Sequence, residues 1–431
     1  MRIGIVTAVY KPVINGVTRM VLLYKQHLEA AGHDVTIFTI GDPDPDDEPN
    51  VVRSPGFMVS DRGYYLTVGY SREAQKLLRQ MDILHCHHLF MSVELAHRYG
   101  RCPIIYTNHT RYDLYGNTVF NLPQPAADAI LRQVWPEFCD YADLVITPSE
   151  SVRQVMLEFG VHTPIVTIEN GVDLEPFYNL SQPRCKRDFG LPETAVLLMY
   201  VGRLASEKNV ELLLDQFAIA ADLAPDLHLM LVGDGLSRPE LERQADAVGI
   251  ADQVHFAGAV AYEDVPNYMA AADMFVTASI TEVHPLTVIE AMATGLPVVA
   301  VSSPGIVDSV ESGVSGLLTT RPDGGLAAAM VALAFNPEQR QKMSAAALET
   351  SARFDIVQKV ERTVAFYEQL HTERPDLGRK KQHGRRFLYK ERFQQSLERF
   401  LGPTDKIKLK ANWFDSDSWS KGQNNRHDNW Q

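Results

Sequence analysis

Short runs of β-branched and other apolar residues alternate along the chain with longer stretches whose apolar positions recur at helical spacing. Parallel strands joined by helices, buried on both faces, read this way. In the first half the runs predict strands at Ile3 to Thr7, Val35 to Thr39, Ile83 to Cys86, Ile104 to Thr107, Leu144 to Thr147 and Ile165 to Ile168. A polar stretch from Asn170 to Arg187 interrupts the pattern. It resumes at Val196 to Val201, Leu227 to Val232, Val254 to Ala257, Met274 to Thr277 and Pro297 to Val301. The predicted fold class is α/β, with two doubly wound Rossmann-like domains facing each other across a cleft. The expected divisions are residues 1–168, completed by a C-terminal helix at about 354–370, and residues 169–353. No period of 20 to 50 residues recurs, which excludes a solenoid. Open parallel sheets bind ligands beyond the carboxyl ends of their strands, so the chemistry is expected in the loops leaving those ends.

Composition adds constraints without changing the class. The 431 residues are 45% hydrophobic and 22% charged, values that exclude whole-chain disorder, collagen or coiled coil. The longest apolar run, Leu326 to Phe335, is about half of the ~20 residues a membrane-spanning helix needs. Cys86, Cys102, Cys139 and Cys185 are far apart and form no CxxC pair, so reduced thiols are expected rather than a disulfide framework or a zinc site. The first residues, MRIGIVTAVY, enter a strand pattern with no basic region, apolar core or cleavage site of a secretory signal.

Charge divides the chain unevenly. Residues 371–431 hold 14 Lys and Arg against 8 Asp and Glu, net +6, which leaves 27 against 46, net −19, in residues 1–370. This basic tail also carries Trp413, Trp419 and Trp430 with Phe387, Tyr389, Phe393 and Phe400. Cations mixed with aromatic rings suit an anionic membrane surface. A solvated extension is the alternative.

Three segments carry candidate chemistry. After the first strand, Asn15-Gly16 precedes a helix, and a glycine there lets an anion approach the free N–H groups of the helix N-terminus. No GxGxxG is present, which lowers the case for a dinucleotide dehydrogenase. The second half opens similarly, with Gly202-Arg203 and Lys208 following a strand. A guanidinium and an ammonium converging on one strand end suit a diphosphate. The third segment, Ser279-Ile280-Thr281-Glu282-Val283-His284-Pro285-Leu286-Thr287-Val288-Ile289-Glu290, places a second helix N-terminus at Pro285 to Thr287. Glu282 stands before that helix and Glu290 within it, two carboxylates able to grip hydroxyls at two ends of one ligand. Paired hydroxyl grips suggest sugars.

Gly202-Arg203, Lys208, Glu282 with Glu290 eight positions on, Ala291-Met292-Ala293-Thr294-Gly295-Leu296-Pro297 and Asn170-Gly171-Val172-Asp173 together resemble the retaining nucleotide-sugar glycosyltransferases of family 4, which have the GT-B fold. The resemblance covers about residues 1–370. It implies that Arg203 and Lys208 hold the donor's diphosphate, Glu282 the transferred sugar, Glu290 the ribose, and the backbone amides of Leu286 and Thr287 the distal phosphate, with Gly16 reaching that phosphate from the first domain. Pro285 departs from the family pattern and lacks an N–H. A narrower resemblance joins His109-Thr110-Arg111-Tyr112-Asp113-Leu114-Tyr115 to the His-Thr-x-Tyr-x-x-Tyr segment of bacterial diacylglycerol glucosyltransferases. It implies His109 beside the reacting sugar, and Arg111, Tyr112 and Tyr115 on the acceptor side.

The implied function is retaining transfer of a sugar, expected to be glucose, from a nucleotide diphosphate donor to a membrane lipid such as diacylglycerol. A UDP-sugar is the favoured donor and a GDP-sugar the alternative. Other readings are a soluble or polysaccharide acceptor and a GT-B sugar-nucleotide epimerase. The implied partners are the nucleotide-sugar, a lipid acceptor and an anionic membrane surface, with no nucleic acid, no metal and no further cofactor. The implied location is cytoplasmic, on the inner face of the membrane; oligomeric state is not readable. Two signals are declined as metal sites: His85-Cys86-His87-His88, expected to line the cleft, and Asp42 to Glu48, expected to be a solvated acidic loop.

Overall fold

The computed structural model describes residues 1–60, 64–67, 69–114, 123–320 and 324–373. Tyr115 and nearly all of the basic tail lie outside the described residues. Among the described residues nine strands belong to the first half: β1 (Arg2–Val6), β2 (Asp34–Ile40), β3 (Val51–Ser54), β4 (Phe57–Ser60), β5 (Tyr64–Leu66), β6 (Ile83–Cys86), β7 (Ile104–Thr107), β8 (Leu144–Thr147) and β9 (Ile165–Thr167). The second half holds β10 (Val196–Val201), β11 (Leu227–Val232), β12 (Val254–Gly258), β13 (Met274–Thr277), β14 (Val298–Val301) and β15 (Gly316–Thr319). They form a seven-stranded sheet in the order β3-β2-β1-β6-β7-β8-β9, a six-stranded sheet in the order β12-β11-β10-β13-β14-β15, and the β4-β5 hairpin. All pairings in the two large sheets are parallel. In both, chain order reverses beside the first strand, so the switch points lie between β1 and β6 and between β10 and β13. Four loops thereby meet the rule that ligands bind at such points: those after β1, β6, β10 and β13.

The continuous apolar runs became strands because helices cover both faces; β6, β7, β8, β13 and β14 are buried at every position. Not anticipated were β3, β15 and the hairpin. The first two are edge strands with one free side, so Val-Val-Arg-Ser and Gly-Leu-Leu-Thr need no unbroken apolar run. A Cβ on Gly316 would lie 2.1 Å from the Val298 carbonyl oxygen, so β15 approaches its neighbour only as glycine. The Asp42 to Glu48 stretch corrects its expectation. Asp47 makes a bidentate pair with Arg53 at 2.5 and 2.7 Å, and Glu48 pairs with Lys11 and Lys25 at 3.0 and 2.7 Å. Part of the acidic loop is thus an internal clamp rather than solvated charge, and the Lys25 bond holds the Glu48 carboxyl below its usual range against its burial.

The chain returns to the first half at its end. Val172 bridges to Asp355, and helix Ile356–Glu373 then packs on the first sheet, where Tyr24 and Thr363 share a hydrogen bond of 3.1 Å and the Tyr367 hydroxyl meets His85 Nδ1 at 2.6 Å. Ile356, Val360 and Tyr367 join the same core as Ile3, Ile5 and Met20. A further junction lies at helix Glu150–Glu158, capped by Ser149. There the Ser151 N–H donates to Asp308 at 3.1 Å, and the Gly305 N–H donates to Ser151 Oγ at 2.8 Å. Among the described residues no helix is long and apolar enough to cross a membrane.

Candidate active site

At the end of β10 the chain turns through Gly202, and Gly233 lies so close that a Cβ there would stand 1.9 Å from the Gly202 carbonyl oxygen. This tight crossing sends Arg203 to the surface and brings the short turn Ser206–Lys208 toward the loop after β13. Two bonds tie the loops together: Asn209 Nδ2 donates to the Ala278 carbonyl at 3.2 Å, and Thr281 Oγ1 to the Glu207 carbonyl at 3.1 Å. Between them, Lys208 Nζ donates to Glu282 Oε1 at 2.6 Å, and Ser279 Oγ donates to the same oxygen at 2.8 Å. Burial alone would raise the Glu282 carboxyl. The Lys208 charge and these two bonds outweigh it and hold the group below its usual range. Arg203 pairs with Glu207 at 2.8 Å with about half its side chain exposed, a contact worth little and readily exchanged for a stronger anion.

Helix Leu286–Ala293 begins beside this pair, with Pro285 at its N-cap and no side-chain cap. Its first internal bond runs from the Ile289 N–H to the Pro285 carbonyl. The N–H groups of Leu286, Thr287 and Val288 therefore have no acceptor within the helix and carry its positive end. Pro285 precedes these three donors, so its missing N–H is not one of them. Asn170 Nδ2 donates to the His284 carbonyl at 2.9 Å, tying the junction between the halves to this helix start. One turn into the helix, Glu290 is buried and accepts from the Tyr262 hydroxyl at 2.8 Å. Burial pushes its carboxyl up to about 7, opposed by the Tyr262 bond and the Arg19 charge.

In the first half, His109 leaves β7 and stacks against His87 at 5.2 Å, with His87 Nδ1 and His109 Nε2 2.9 Å apart. Burial first, then the neighbouring His88 and His85, press the His109 imidazole down to about 3, so it is neutral at any physiological pH. Arg111 is buried and donates twice to Asp113, at 2.9 and 2.7 Å. Tyr112 packs edge-on to Phe90 and Trp135. The reading of His85-Cys86-His87-His88 as cleft lining is corrected. His85 is enclosed, with both ring nitrogens bonded at 2.6 Å, to Tyr367 and Thr107; His87 is enclosed against His109; only His88 is partly exposed.

Lys208 with Glu282, and the free helix start with Glu290, are thus brought together in the second half, while His109, Arg111 and Tyr112 gather at β7 in the first. Gly16 opens helix Gly16–Ala30, and a Cβ there would meet nothing within 4 Å. Sequence reasoning missed Tyr262 and Arg19 as neighbours of the site. Nothing in the local sequence marks Tyr262, whereas His87 belongs to the cluster expected to line the cleft and is instead enclosed against His109.

Two doubly wound parallel sheets, with a cation–carboxylate pair beside a free helix N-terminus at the switch point of the second, have the architecture of the GT-B glycosyltransferases. Comparison with known proteins agrees: the family model described as Glycosyltransferase Family 4 matches residues 14–176, and that described as Glycosyl transferases group 1 matches residues 181–350. The alpha-monoglucosyldiacylglycerol synthase of Streptococcus pneumoniae is 30% identical over 337 residues, 74% of this chain and 75% of that protein. That of Acholeplasma laidlawii is 29% identical over 357 residues, 78% of this chain and 89% of that protein. In fold, the chain is similar to Anabaena HepE, solved in complex with UDP, at a TM-score of 0.68 and 20% identity, covering 86% of this chain and 100% of that one. The chain belongs to glycosyltransferase family 4 and is a hexosyltransferase.

Proposed function

We propose that the protein transfers glucose from UDP-glucose to the hydroxyl of a membrane lipid such as diacylglycerol, with retention at the anomeric carbon. The observation that carries this reading is the similarity to two monoglucosyldiacylglycerol synthases over about three quarters of the chain, reaching across both sheets. In the proposed complex, Lys208 and Arg203 neutralise the diphosphate as it leaves, and the free N–H groups of Leu286 and Thr287 hold its distal phosphate. Glu282 accepts from a hydroxyl of the migrating glucose and Glu290 from the ribose. His109, kept neutral by burial, offers a hydrogen bond to the sugar rather than a charge. The leaving phosphate helps deprotonate the acceptor on the face it vacates, which keeps the configuration. A second reading has support of its own. The D-inositol 3-phosphate glycosyltransferase of Mycolicibacterium smegmatis is 30% identical over 66% of this chain and 67% of that protein, so a soluble polyol phosphate is the alternative acceptor.

The test is a panel of labelled UDP- and GDP-sugars, each offered diacylglycerol in anionic vesicles or inositol phosphate in solution, with the product anomer read by NMR. The expected product is an α-glucosyl lipid from UDP-glucose. Inversion, or transfer to inositol phosphate alone, would overturn the reading. Truncation after Leu370 in the same assay is expected to reduce vesicle co-sedimentation and lipid transfer while sparing donor binding, because attraction of a net +6 segment to anionic lipid acts over about 8 Å at physiological salt. Undiminished co-sedimentation would remove the tail from the proposal.

Gly16→Ala separates ligand contact from folding. A Cβ at Gly16 meets no protein atom, and alanine is a better helix former by about 1 kcal/mol. The variant is expected to melt no lower than the parent yet bind donor about tenfold more weakly, because the added methyl sits where the phosphate would approach. Unchanged donor affinity in a calorimetric titration would take Gly16 out of the site.

A further inference from the structure

The first turn of helix Gly16–Ala30 presents a side chain that the donor contacts above leave unused. Arg19 follows Gly16 by three positions, and its guanidinium carbon lies 3.6 Å from the centroid of the Tyr262 ring. Its Nε is buried with no hydrogen-bond partner, so the π-face is the principal contact offered on that side. Tyr262 comes from the other half of the molecule, in the short turn Tyr262–Asp264 after β12. Phe177 packs edge-on to its ring at 6.3 Å, and its hydroxyl donates to Glu290 Oε1 at 2.8 Å. A continuous path of contacts therefore runs from the helix start that carries Gly16, through an aromatic ring, to the buried carboxylate on the far sheet. A cation over a ring attracts it without directional hydrogen bonds, and so tolerates small changes in the separation of the two halves.

We propose that Arg19 and Tyr262 are positioning residues for the nucleotide-sugar: Tyr262 orients the Glu290 carboxylate for the ribose hydroxyls, and Arg19 makes that orientation depend on the approach of the first domain. The proposal rests on the reading of Glu290 as the ribose-binding group. It gives a first-half residue an influence on nucleotide binding through a side chain of the second half. Within Tyr262 the ring face carries the close contact with Arg19 and the hydroxyl the bond to Glu290, while the Arg19 charge also acts on the hydroxyl.

The experiment is a double-mutant cycle on the full chain. It uses R19Q, Y262L and the pair, with R19K and Y262F as conservative controls, measuring UDP affinity by calorimetry and donor KM and kcat for transfer. R19Q is expected to raise donor KM about tenfold, the scale of a partly desolvated cation–π contact, and to have a much smaller effect in the Y262L background, where only the Arg19 charge on Glu290 remains. R19K retains a cation over the ring and is expected to stay within about threefold of the parent. Y262F keeps the volume and the ring, so it guards against misfolding; it is expected to weaken UDP binding while leaving the effect of R19Q intact. Additive effects of R19Q and Y262L, or R19Q indistinguishable from the parent, would overturn the proposal. Glu290→Gln distinguishes the two failures. If it leaves UDP affinity unchanged, the ribose reading itself falls; if it weakens UDP binding while R19Q is silent, only the coupling falls.

Discussion

Replacing Lys208 by alanine is expected to lower kcat for transfer by about 10²- to 10³-fold, the effect of removing one preorganised charge from a leaving group. The ammonium already stands 2.6 Å from Glu282 Oε1, so no side-chain search is needed when the diphosphate departs. Substrate binding is expected to suffer less, because in the proposed complex Arg203 and the helix start would still meet the ground-state charge. The same substitution leaves Glu282 with Ser279 as its one remaining hydrogen-bond donor of the two, which gives the variant a signature in stability. An acid whose folded pKa is depressed contributes stability above its unfolded pKa and loses it as pH falls through the folded value. Glu282 is such a group in the parent. The gap in melting temperature between parent and Lys208→Ala is therefore expected to be largest near neutrality and to close as pH falls below the usual carboxylate range. Turnover within a fewfold of the parent would reject Lys208 as the diphosphate cation. A gap that does not depend on pH would reject the pairing as its source.

The second large effect concerns pH and divides the two acidic groups. Glu290, raised to about 7 by burial, is protonated below that value and ionised above it. If Glu290 holds the ribose as proposed, only its ionised form would accept from two hydroxyls at once. Donor KM is therefore expected to fall about tenfold between pH 6 and pH 8, and Glu290→Gln is expected to abolish that slope while raising KM throughout. The sign of the linkage is consistent. With its folded pKa above the unfolded one, the native state holds more protons between the two values, so stability declines as pH rises through that window, and bound donor is expected to offset the decline. His109, by contrast, is neutral across this range, so His109→Ala is expected to depress kcat strongly without altering the pH dependence of donor KM. An inflection that vanishes in His109→Ala and persists in Glu290→Gln would reverse the two roles.

The alternation of apolar runs was enough to place every central strand of both sheets, since a strand buried on both faces needs a continuous apolar run, and that requirement is local. The loops at the two switch points were equally legible. Gly202-Arg203, Lys208, Glu282 and the helix start at Leu286 all follow a strand directly, and strand order plus helix propensity carry each to a carboxyl end. Tertiary structure alone decided which groups meet. Asp47 finds Arg53, and Tyr262 finds both Glu290 and Arg19, across separations that hold no periodic signal. It also decided that His85 and His87 turn inward, because Tyr367 of the returning helix covers the first and His109 and Tyr24 the second. Protonation followed from that same step: Glu282 and Glu290 are identical in sequence terms, but Lys208 outweighs the burial of the first and holds it below its usual range, whereas burial of the second outweighs the Tyr262 bond and the Arg19 charge and lifts it above. Residue type and strand order determined where chemistry could occur in this chain, and long-range packing set the charge each group carries there.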